Sequence, residues 1–411
     1  MEIRAVREQE LEEMIELQCL VFRPGGHERY NAYIRGDSSY ELEQTRVVVV
    51  DGGIVATLRV WDRTVRVGET AVRMGGIGGV GTHPDHRRRG HASAVLRDAV
   101  DWMRGRGYLT SVLFTEVATE FYRRHGWGSV PMPGFRLAAP GARATLPEPG
   151  EGAGEWRVEA FDEVRDLEAA MALYDRYNAG LSGSLVRDRP YWYSEPARIR
   201  GILPAAVALD AGGNLRGYLN YRIEERQAEV CELAVDEAAA TATDALVRHF
   251  LRECAAQGAG EIVGELPHRH PVVDLLCEYC GGDLELTGNA TTMWKALDLS
   301  GLLSALLPEL RQRVESASPG PAALLFEAGG ERSSLALDSQ GRLLLDPRPP
   351  AGPALPLSGE MLWRLLLGES GWSDIEASPA ARGEAVDPAQ SRLLAALFPR
   401  RRVIYWAPDH F

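Results

Sequence analysis

The stretch Gly76–Met103, GIGGVGTHPDHRRRGHASAVLRDAVDWM, constrains the fold of this 411-residue chain more than any other. An apolar, glycine-rich segment over Ile77–Thr82 has the composition of a buried strand, and a His-Pro-Asp turn joins it to a basic loop, Arg87–Gly90. The next residues predict an amphipathic helix, because apolar side chains recur at helical spacing. Its two adjacent apolar rows are Val95, Ala99 and Trp102, and Leu96, Val100 and Met103.

The start of this helix is a candidate anion site. A helix N-terminus presents unpaired N–H groups and the positive end of the helix dipole, which suits a pyrophosphate. Small residues there let the backbone approach phosphates closely, and neighbouring arginines add charge. The alternative is an ordinary solvated helix start. The residues predicted to contact phosphates are Arg87, Arg88, Arg89, Gly90, His91 and Ala92.

The spacing Arg87-x-x-Gly90-x-Ala92 after a strand resembles the pyrophosphate-binding motif of the GNAT superfamily of acetyltransferases. The resemblance implies acetyl-CoA as co-substrate. It also implies that Val80, Gly81 and Thr82 line the coenzyme, with the N–H groups of Val80 and Thr82 holding and polarising the thioester.

A second part of the resemblance lies further along the chain. Ser111–Glu116 predicts a strand, which in GNAT folds splays from its neighbour to admit the pantetheine arm. Ala118–His125 predicts a short helix, whose first residues, Ala118 and Thr119, are expected to contact the coenzyme. Tyr122 matches the tyrosine that lies beside the CoA sulfur in this family. An unperturbed phenol has a pKa near 10, so Tyr122 would be protonated at neutral pH and able to donate to the departing thiolate. The alternative is a core aromatic residue.

The length predicts two to four domains. Residues 1–140 are expected to form the catalytic GNAT domain, and the Pro-, Gly- and Ala-rich stretch 131–154 predicts the end of a strand followed by a linker. Residues 155–297 repeat the element order, but the segment that corresponds to the basic loop, DEAAATATDALV, lacks Arg-x-x-Gly, and Cys277 stands at the place of Tyr122. These differences predict a degenerate GNAT domain. Residues 298–411 predict a third α/β domain. The expected fold class is therefore α/β, with mixed sheets.

Thr292–Leu306 and the final LFPRRRVIYWAPDHF resemble the enhanced intracellular survival (Eis) acetyltransferases. That family combines a GNAT domain, a degenerate GNAT domain and a C-terminal domain of sterol-carrier-protein fold, and its members are typically hexamers. The resemblance implies that the terminal carboxylate, here that of Phe411, enters the active site as the base. A terminal carboxylate has a pKa of about 3.3–3.7, so it suits the binding of an ammonium better than its deprotonation. The alternative is an ordinary packed C-terminus.

Composition narrows the classes of molecule that this protein is expected to bind. The net charge of −13 disfavours nucleic acid, which requires concentrated Lys and Arg, and is compatible with a cationic substrate. Asp37 is a candidate contact for such a substrate. The sequence contains neither a membrane-spanning apolar run nor a signal peptide, so we expect a cytoplasmic protein. Cys277-x-x-Cys280 and His268-x-His270 lack companions at metal-binding spacing, and no metal is expected.

These features together predict an N-acetyltransferase that acts by direct transfer to primary amines of an aminoglycoside-like or polyamine-like acceptor. Tyr122 would act as acid and the carboxylate of Phe411 as base. Two alternatives stay open: an acetyltransferase of protein or peptide lysines, and a lipid-binding carrier without transferase activity.

Overall fold

The computed structural model describes residues 1–116, 118–139, 156–267, 269–281, 283–289, 291–346, 355–377 and 386–411. Most of the predicted linker, and His268 of the His-x-His pair, lie outside these residues. The chain forms two compact units. The first comprises Met1–Val130, Ala290–Arg402 and Phe411, and the second comprises Pro131–Asn289 and Val403–His410.

The first unit contains a seven-stranded sheet in the order β1-β2-β3-β4-β5-β14-β6. Its strands are β1 (Glu2–Ala5), β2 (Thr45–Val50), β3 (Gly53–Val67), β4 (Thr70–Thr82), β5 (Thr110–Phe114), β6 (Gly128–Ser129) and β14 (Thr292–Ala296). All neighbouring pairs are antiparallel except β4 and β5, which are parallel. The sequence predicts one hairpin joining residues 46–50 to 54–61 across Asp51-Gly52-Gly53, and a second joining residues 64–67 to 70–74 across Gly68 and Glu69. Both turns are present, but the predicted strands 54–61 and 64–67 are one continuous strand, β3.

Helices cover both faces of this sheet. They are α1 (Leu11–Val21), α2 (His27–Arg35), α3 (His91–Gly105) and α4 (Thr119–Arg124). Buried residues of α3 pack in a core with Val48, whereas those of α1 pack in another core with Val47 and Val49. Since successive strand residues face opposite sides, α1 and α3 lie on opposite faces of the sheet. The helical spacing predicted for α3 is confirmed by its buried Val95, Leu96, Ala99, Val100 and Met103.

The C-terminal part of the first unit forms a four-stranded sheet in the order β17-β16-β15-β18, together with four helices. Its elements are α10 (Leu299–Ala317), β15 (Ala322–Ala328), β16 (Glu331–Leu337), β17 (Leu343–Asp346), β18 (Leu355–Pro356), α11 (Gly359–Leu367), α12 (Trp372–Glu376) and α13 (Pro388–Leu397). Glu309 of α10 accepts a hydrogen bond from the Glu69 N–H at 2.9 Å, and Trp363 of α11 packs on Trp294 of β14 with ring centroids 4.7 Å apart. These contacts join the segment to the first sheet.

The second unit repeats the mixed α/β pattern around a seven-stranded sheet in the order β13-β7-β12-β11-β10-β9-β8. Its strands are β7 (Met132–Ala138), β8 (Arg157–Ala160), β9 (Ala206–Leu209), β10 (Leu215–Glu224), β11 (Gln227–Val235), β12 (Glu261–Gly264) and β13 (Glu285–Asn289). Its helices are α5 (Glu163–Asn178), α6 (Arg189–Tyr193), α7 (Glu195–Ile199), α8 (Ala242–Gln257) and α9 (Pro271–Cys280). The strands before and after α8, β11 and β12, are parallel. The other neighbouring pairs among the described strands of this sheet are antiparallel, as in the first sheet.

The strand partners differ from the domain boundaries expected from sequence. The boundary at residue 140 assigns Met132–Ala138 to the first domain, but this strand pairs with β12 and β13 of the second unit. Conversely, Thr292–Ala296, expected at the end of the second domain, pairs with β5 and β6 of the first unit. Each sheet therefore contains a strand from beyond its expected sequence boundary.

Across the described residues, none of the helices combines the length and apolar character that a membrane crossing requires.

Candidate active site

The parallel strands β4 and β5 separate at the centre of the first sheet. Their pairing runs from Met74 opposite Thr110 to Ile77 opposite Leu113. Beyond this point β4 continues to Thr82, whereas the Thr115 N–H donates to the Thr291 carbonyl at 2.9 Å. Within the described part of the chain, Gly78–Thr82 therefore pairs with β3 but not with β5. The predicted splay lies here, and it leaves one edge of the glycine-rich segment open.

A bulge shapes this open edge. Gly79 and Val80 together stand opposite the single residue Leu58, between Gly78 paired with Arg59 and Gly81 paired with Thr57. Gly79 has φ +60°, which glycine adopts without the steric cost of a side chain.

Gln18 of α1 fixes the orientation of the bulge, because its Nε2 donates to the Gly79 carbonyl at 2.8 Å. In a planar trans peptide the C=O and the following N–H point in opposite directions. The Val80 N–H is therefore directed away from Gln18. This bond was not foreseen from the sequence, because it joins residues 61 positions apart.

The basic loop before α3 has the backbone form of an anion-binding nest. Arg88 has φ +61° and Gly90 has φ +82°, and α3 begins at His91. Left-handed residues at a helix start direct successive N–H groups into one concavity, which favours anions. Arg87, Arg88 and Arg89 are all exposed. The loop and the helix start can together hold a pyrophosphate.

Among the residues predicted to contact phosphates, His91 has a buried side chain. Burial lowers the pKa of this imidazole, and the nearby His86 and Arg89 lower it further. The neutral ring belongs to the packing beneath the loop, so the backbone N–H of His91 is the group suited to a phosphate. Ala92 is partly buried in the same first turn.

Tyr122 lies on α4, which follows Ala118 in the left-handed conformation at φ +65° and begins at Thr119. Its ring packs edge-on against Phe121 and Trp127, with centroids 5.0 and 6.4 Å away. Burial raises the pKa of the phenol to about 12, so it is protonated at neutral pH. Tyr122 and Val80 pack against the same hydrophobic core, which places the predicted acid and the bulge on one side of the sheet.

Phe411 packs in the first unit over the start of the open edge. Its ring stacks on Trp61, with centroids 6.2 Å apart, and meets Phe114 edge-on at 5.0 Å. A Cβ atom at Gly76 would overlap this ring, and one at Gly78 would lie 3.8 Å from the carboxyl carbon of Phe411. Gly76 and Gly78 of β4 thus leave the space that Phe411 occupies, which accounts for part of the glycine-rich pattern of this strand.

Asp37 has a different environment from the one expected of a substrate contact. Its carboxylate is fully buried and forms ion pairs with Arg59 and Arg63. Burial alone would raise the pKa of Asp37, but the charges of Arg63 and Arg59 outweigh it and hold the pKa below its ordinary value. The guanidinium of Arg59 also lies over the Trp61 ring, 3.5 Å from its centroid. The charge of Asp37 therefore holds the guanidinium of Arg59 over the ring of Trp61.

The corresponding helix start in the second unit is acidic. The Asp236 side chain accepts from the Ala238 N–H at 3.2 Å, and Glu237 and Asp244 follow before and within the first turn of α8. Carboxylates are favourable at a helix N-terminus and repel a phosphate there. This arrangement agrees with the absence of Arg-x-x-Gly from the segment before α8.

Comparison with known proteins agrees with this geometry. Residues 2–130 match the model of the acetyltransferase (GNAT) domain. No curated protein sequence matches the chain. Among solved structures, a probable N-acyltransferase from Enterococcus faecalis is similar over 100% of this chain and 99% of its own, with a TM-score of 0.76 and 15% identity.

Two other solved structures are similar over nearly their entire lengths. A GCN5-related N-acetyltransferase from Kribbella flavida has a TM-score of 0.69 and 21% identity, covering 100% of this chain and 98% of its own. Eis1 from Mycobacterium abscessus has a TM-score of 0.67 and 19% identity, covering 100% of both chains. The predicted mixed α/β fold is confirmed, the first domain is a GNAT acetyltransferase domain, and the chain is an acyltransferase.

Proposed function

We propose that this enzyme transfers the acetyl group of acetyl-CoA to a primary amine by direct transfer within a ternary complex. The observation that carries the proposal is the position of Phe411, whose carboxyl carbon lies beside Gly78 at the open edge of β4. A GNAT domain implies the use of acetyl-CoA. The bound coenzyme supplies the acetyl group as an activated thioester.

The residues that would hold acetyl-CoA form a continuous stretch of the first unit. The edge at Val80, Gly81 and Thr82 offers backbone groups to the pantetheine arm and the thioester. The Arg87–Gly90 nest and the N–H groups of His91 and Ala92 suit the pyrophosphate. Ala118 and Thr119, at the start of α4, border the splay from the β5 side. The N–H of Val80, held in direction through Gln18, is suited to polarise the thioester carbonyl.

Two groups would move the protons of the reaction. The carboxylate of Phe411, taken as the terminal residue, binds the amine and accepts a proton from it as the new C–N bond forms. Tyr122 donates its phenolic proton to the sulfur as the C–S bond breaks. The high pKa of Tyr122 keeps that proton in place at neutral pH. Both residues are partly buried and pack against aromatic side chains, which limits the access of water.

The test compares two changes that remove one proton-transfer group each. Tyr122→Phe keeps the ring that packs on Phe121 and Trp127, and it should lower kcat by about 10²–10⁴-fold, the range expected for general acid–base catalysis. Deletion of Phe411 should lower kcat/KM for the amine by a similar factor. Phe411→Leu keeps the carboxylate and is the matched control, with a smaller loss. Acetyl-CoA affinity, measured by calorimetry, should stay within twofold of wild type in all three variants. Wild-type turnover by Tyr122→Phe would refute its role.

We further propose the Eis-like organisation for the whole chain, in which the degenerate GNAT domain predicted for residues 155–297 corresponds to the second unit and a sterol-carrier-protein-like domain lies within the predicted residues 298–411. The repeated sheet order and the acidic start of α8 support the first part, and the sheet and four helices from Leu299 to Leu397 support the second. A cytoplasmic homo-oligomer, a hexamer by resemblance, completes the proposal. Light scattering coupled to size-exclusion chromatography tests it, since a monomeric mass would contradict the hexamer.

A further inference from the structure

A cavity of about 90 Å³ lies beside Phe411 in the first unit. Gly78 and Gly79 of β4 contribute to its wall, so it adjoins the strand edge at which the acetyl group would be delivered. The remaining lining is mainly apolar and aromatic. Its principal side chains are those of Met14, Tyr30, Tyr33, Ile34, Trp61 and Phe411.

The charges around this cavity differ from those that a polycation requires. Of the described residues that line it, none has an acidic side chain, and Arg59 brings a guanidinium to the wall. Arg59 is paired with the buried carboxylate of Asp37, which also pairs with Arg63. The carboxyl group of Phe411 is thus the anionic group on the lining.

Such a site can compensate a single ammonium. A second ammonium placed in the cavity would lose its hydration without gaining a carboxylate, and it would face the charge of Arg59. Burying an unpaired charge is strongly unfavourable, whereas burying an alkyl or aryl body among aromatic side chains is favourable. Since a cavity of about 150 Å³ accommodates benzene, the site here suits a body of a few carbon atoms or the edge of one ring.

We propose that the acceptor is a monoamine with a small alkyl or aryl-alkyl body, held with its body in the cavity and its nitrogen at the carboxyl group of Phe411. This inference rests on the proposed acetyltransferase function and narrows its substrate class. It selects against the polyamine-like and aminoglycoside-like acceptors that the net charge of the whole chain suggested, because the described lining offers the carboxyl group of Phe411 but no acidic side chain.

The first experiment uses the wild-type enzyme. CoA release is measured with propylamine, butylamine, phenethylamine, spermidine, an aminoglycoside and a lysine peptide. We expect at least one of the three monoamines to have a kcat/KM at least tenfold above those of spermidine, the aminoglycoside and the peptide. Saturation-transfer NMR without acetyl-CoA provides a second readout. The protons of the alkyl or aryl body should receive saturation, and spermidine should not compete at equal concentration.

A matched pair of variants tests the charge argument. Tyr30→Glu and Tyr30→Gln remove the same ring from the lining, and only the first adds a carboxylate. The ratio of kcat/KM for spermidine to that for phenethylamine should rise about tenfold in Tyr30→Glu relative to Tyr30→Gln, since one additional ion pair near a protein surface contributes on the order of 1 kcal/mol or more. An unchanged ratio in two folded variants counts against the charge argument.

The outcomes separate this inference from the proposed function. Preferred turnover of spermidine, the aminoglycoside or the lysine peptide by the wild type overturns the monoamine assignment and leaves the acetyltransferase proposal intact. Absence of CoA release with every amine, in protein that binds acetyl-CoA, overturns the proposed function. If either Tyr30 variant fails to fold, the wild-type comparison and the NMR competition still decide the assignment.

Discussion

The ring of Phe411 stacks on the indole of Trp61, with centroids 6.2 Å apart and an angle of 27° between the planes. Trp61 in turn lies beneath the guanidinium of Arg59, which Asp37 and the Tyr33 carbonyl hold in place. The position of the terminal residue is therefore set by a layered stack that begins at a buried ion pair. Changes in this stack should affect the acceptor amine more than the coenzyme.

Gly76→Ala tests this stack directly. The added methyl group would overlap the Phe411 ring, so the ring must move from β4. Small-to-large changes in packed sites cost about 1–3 kcal/mol, and tenfold corresponds to about 1.4 kcal/mol. We expect kcat/KM for the amine to fall about tenfold or more, with acetyl-CoA affinity within twofold of wild type. Steady-state kinetics and calorimetry measure the two quantities.

The control for this change is Gly105→Ala. Gly105 is the last residue of α3, and a Cβ atom there meets no other atom within 4 Å. This variant should keep wild-type kinetics. If Gly76→Ala behaves in the same way, the ring of Phe411 does not depend on its place over β4.

Gly90→Ala tests the anion nest at the start of α3. Gly90 has φ +82°, and a residue with a Cβ atom pays roughly 1–2 kcal/mol in the left-handed region. Relief of that strain would turn the N–H groups away from a common point, so acetyl-CoA should bind about tenfold more weakly. Gly107→Ala is matched, because Gly107 has φ +77° and equally open surroundings but follows the other end of α3. It should lose comparable stability in urea unfolding while keeping wild-type affinity for acetyl-CoA. Equal affinities in the two variants would argue against the nest.

The pH profile tests the protonation state of Tyr122. Burial raises the pKa of its phenol to about 12, so the fraction able to donate a proton stays near one up to about pH 11. An alkyl ammonium titrates near pH 10, as the lysine side chain does. The rate at low amine concentration should therefore rise with pH towards 10. Because Tyr122 keeps its proton in this range, the wild-type profile should show no decline between pH 9 and 10 that is missing from the profile of Tyr122→Phe. A declining limb near pH 9 that disappears in this variant would show a pKa well below the one proposed here.

The local signals in the sequence were sufficient for much of the fold and for part of the site. The helical period of α3, the Asp-Gly turn between β2 and β3, and the strand of β5 all report interactions within a few residues, and the structure has each of them. The Arg87–Gly90 loop and Tyr122 could be selected as candidate site residues from the sequence because each belongs to a motif of closely spaced residues. The predicted roles of these residues stay predictions until the variants are measured.

The remaining features depend on distant residues. The sequence did not predict that β7 joins the second sheet and β14 the first. Strand pairing depends on which sheet edges are available in the folded chain, and proximity in the sequence does not determine it. The pairing of Asp37 with Arg59 was missed for the same reason: an isolated aspartate in a sequence gives no sign of a partner 22 positions away. In this pair the carboxylate of Asp37 is buried against arginine side chains, an environment that differs from the one expected of a substrate contact.

The last prediction concerns a buried charge network in the second unit. The guanidinium of Arg187 is fully buried and bonds to Glu232 at 2.5 Å and to Asp409 at 2.9 Å. Tyr218 and Tyr191 donate to the same two carboxylates. Asp409 belongs to the segment Val403–His410, which packs in this unit two residues before Phe411. The network therefore anchors the chain just ahead of the proposed base.

Arg187→Met would leave both carboxylates buried without their cation. Removal of one partner from such a network costs about 3–5 kcal/mol, so the second unit should unfold at a clearly lower urea concentration. Arg189→Met is the control, since Arg189 and Glu168 form an exposed pair worth about 0–1 kcal/mol.

The loss of stability in Arg187→Met should also depend on pH. Burial raises the pKa of Glu232 even beside Arg187, and without that cation the pKa rises further. A carboxyl group with a raised folded-state pKa contributes stability below its unfolded pKa and loses it as pH rises through the folded value. Arg187→Met should therefore lie closer to wild type at pH 5 than at pH 8, and an equal deficit at both values would show that the two carboxylates find another partner.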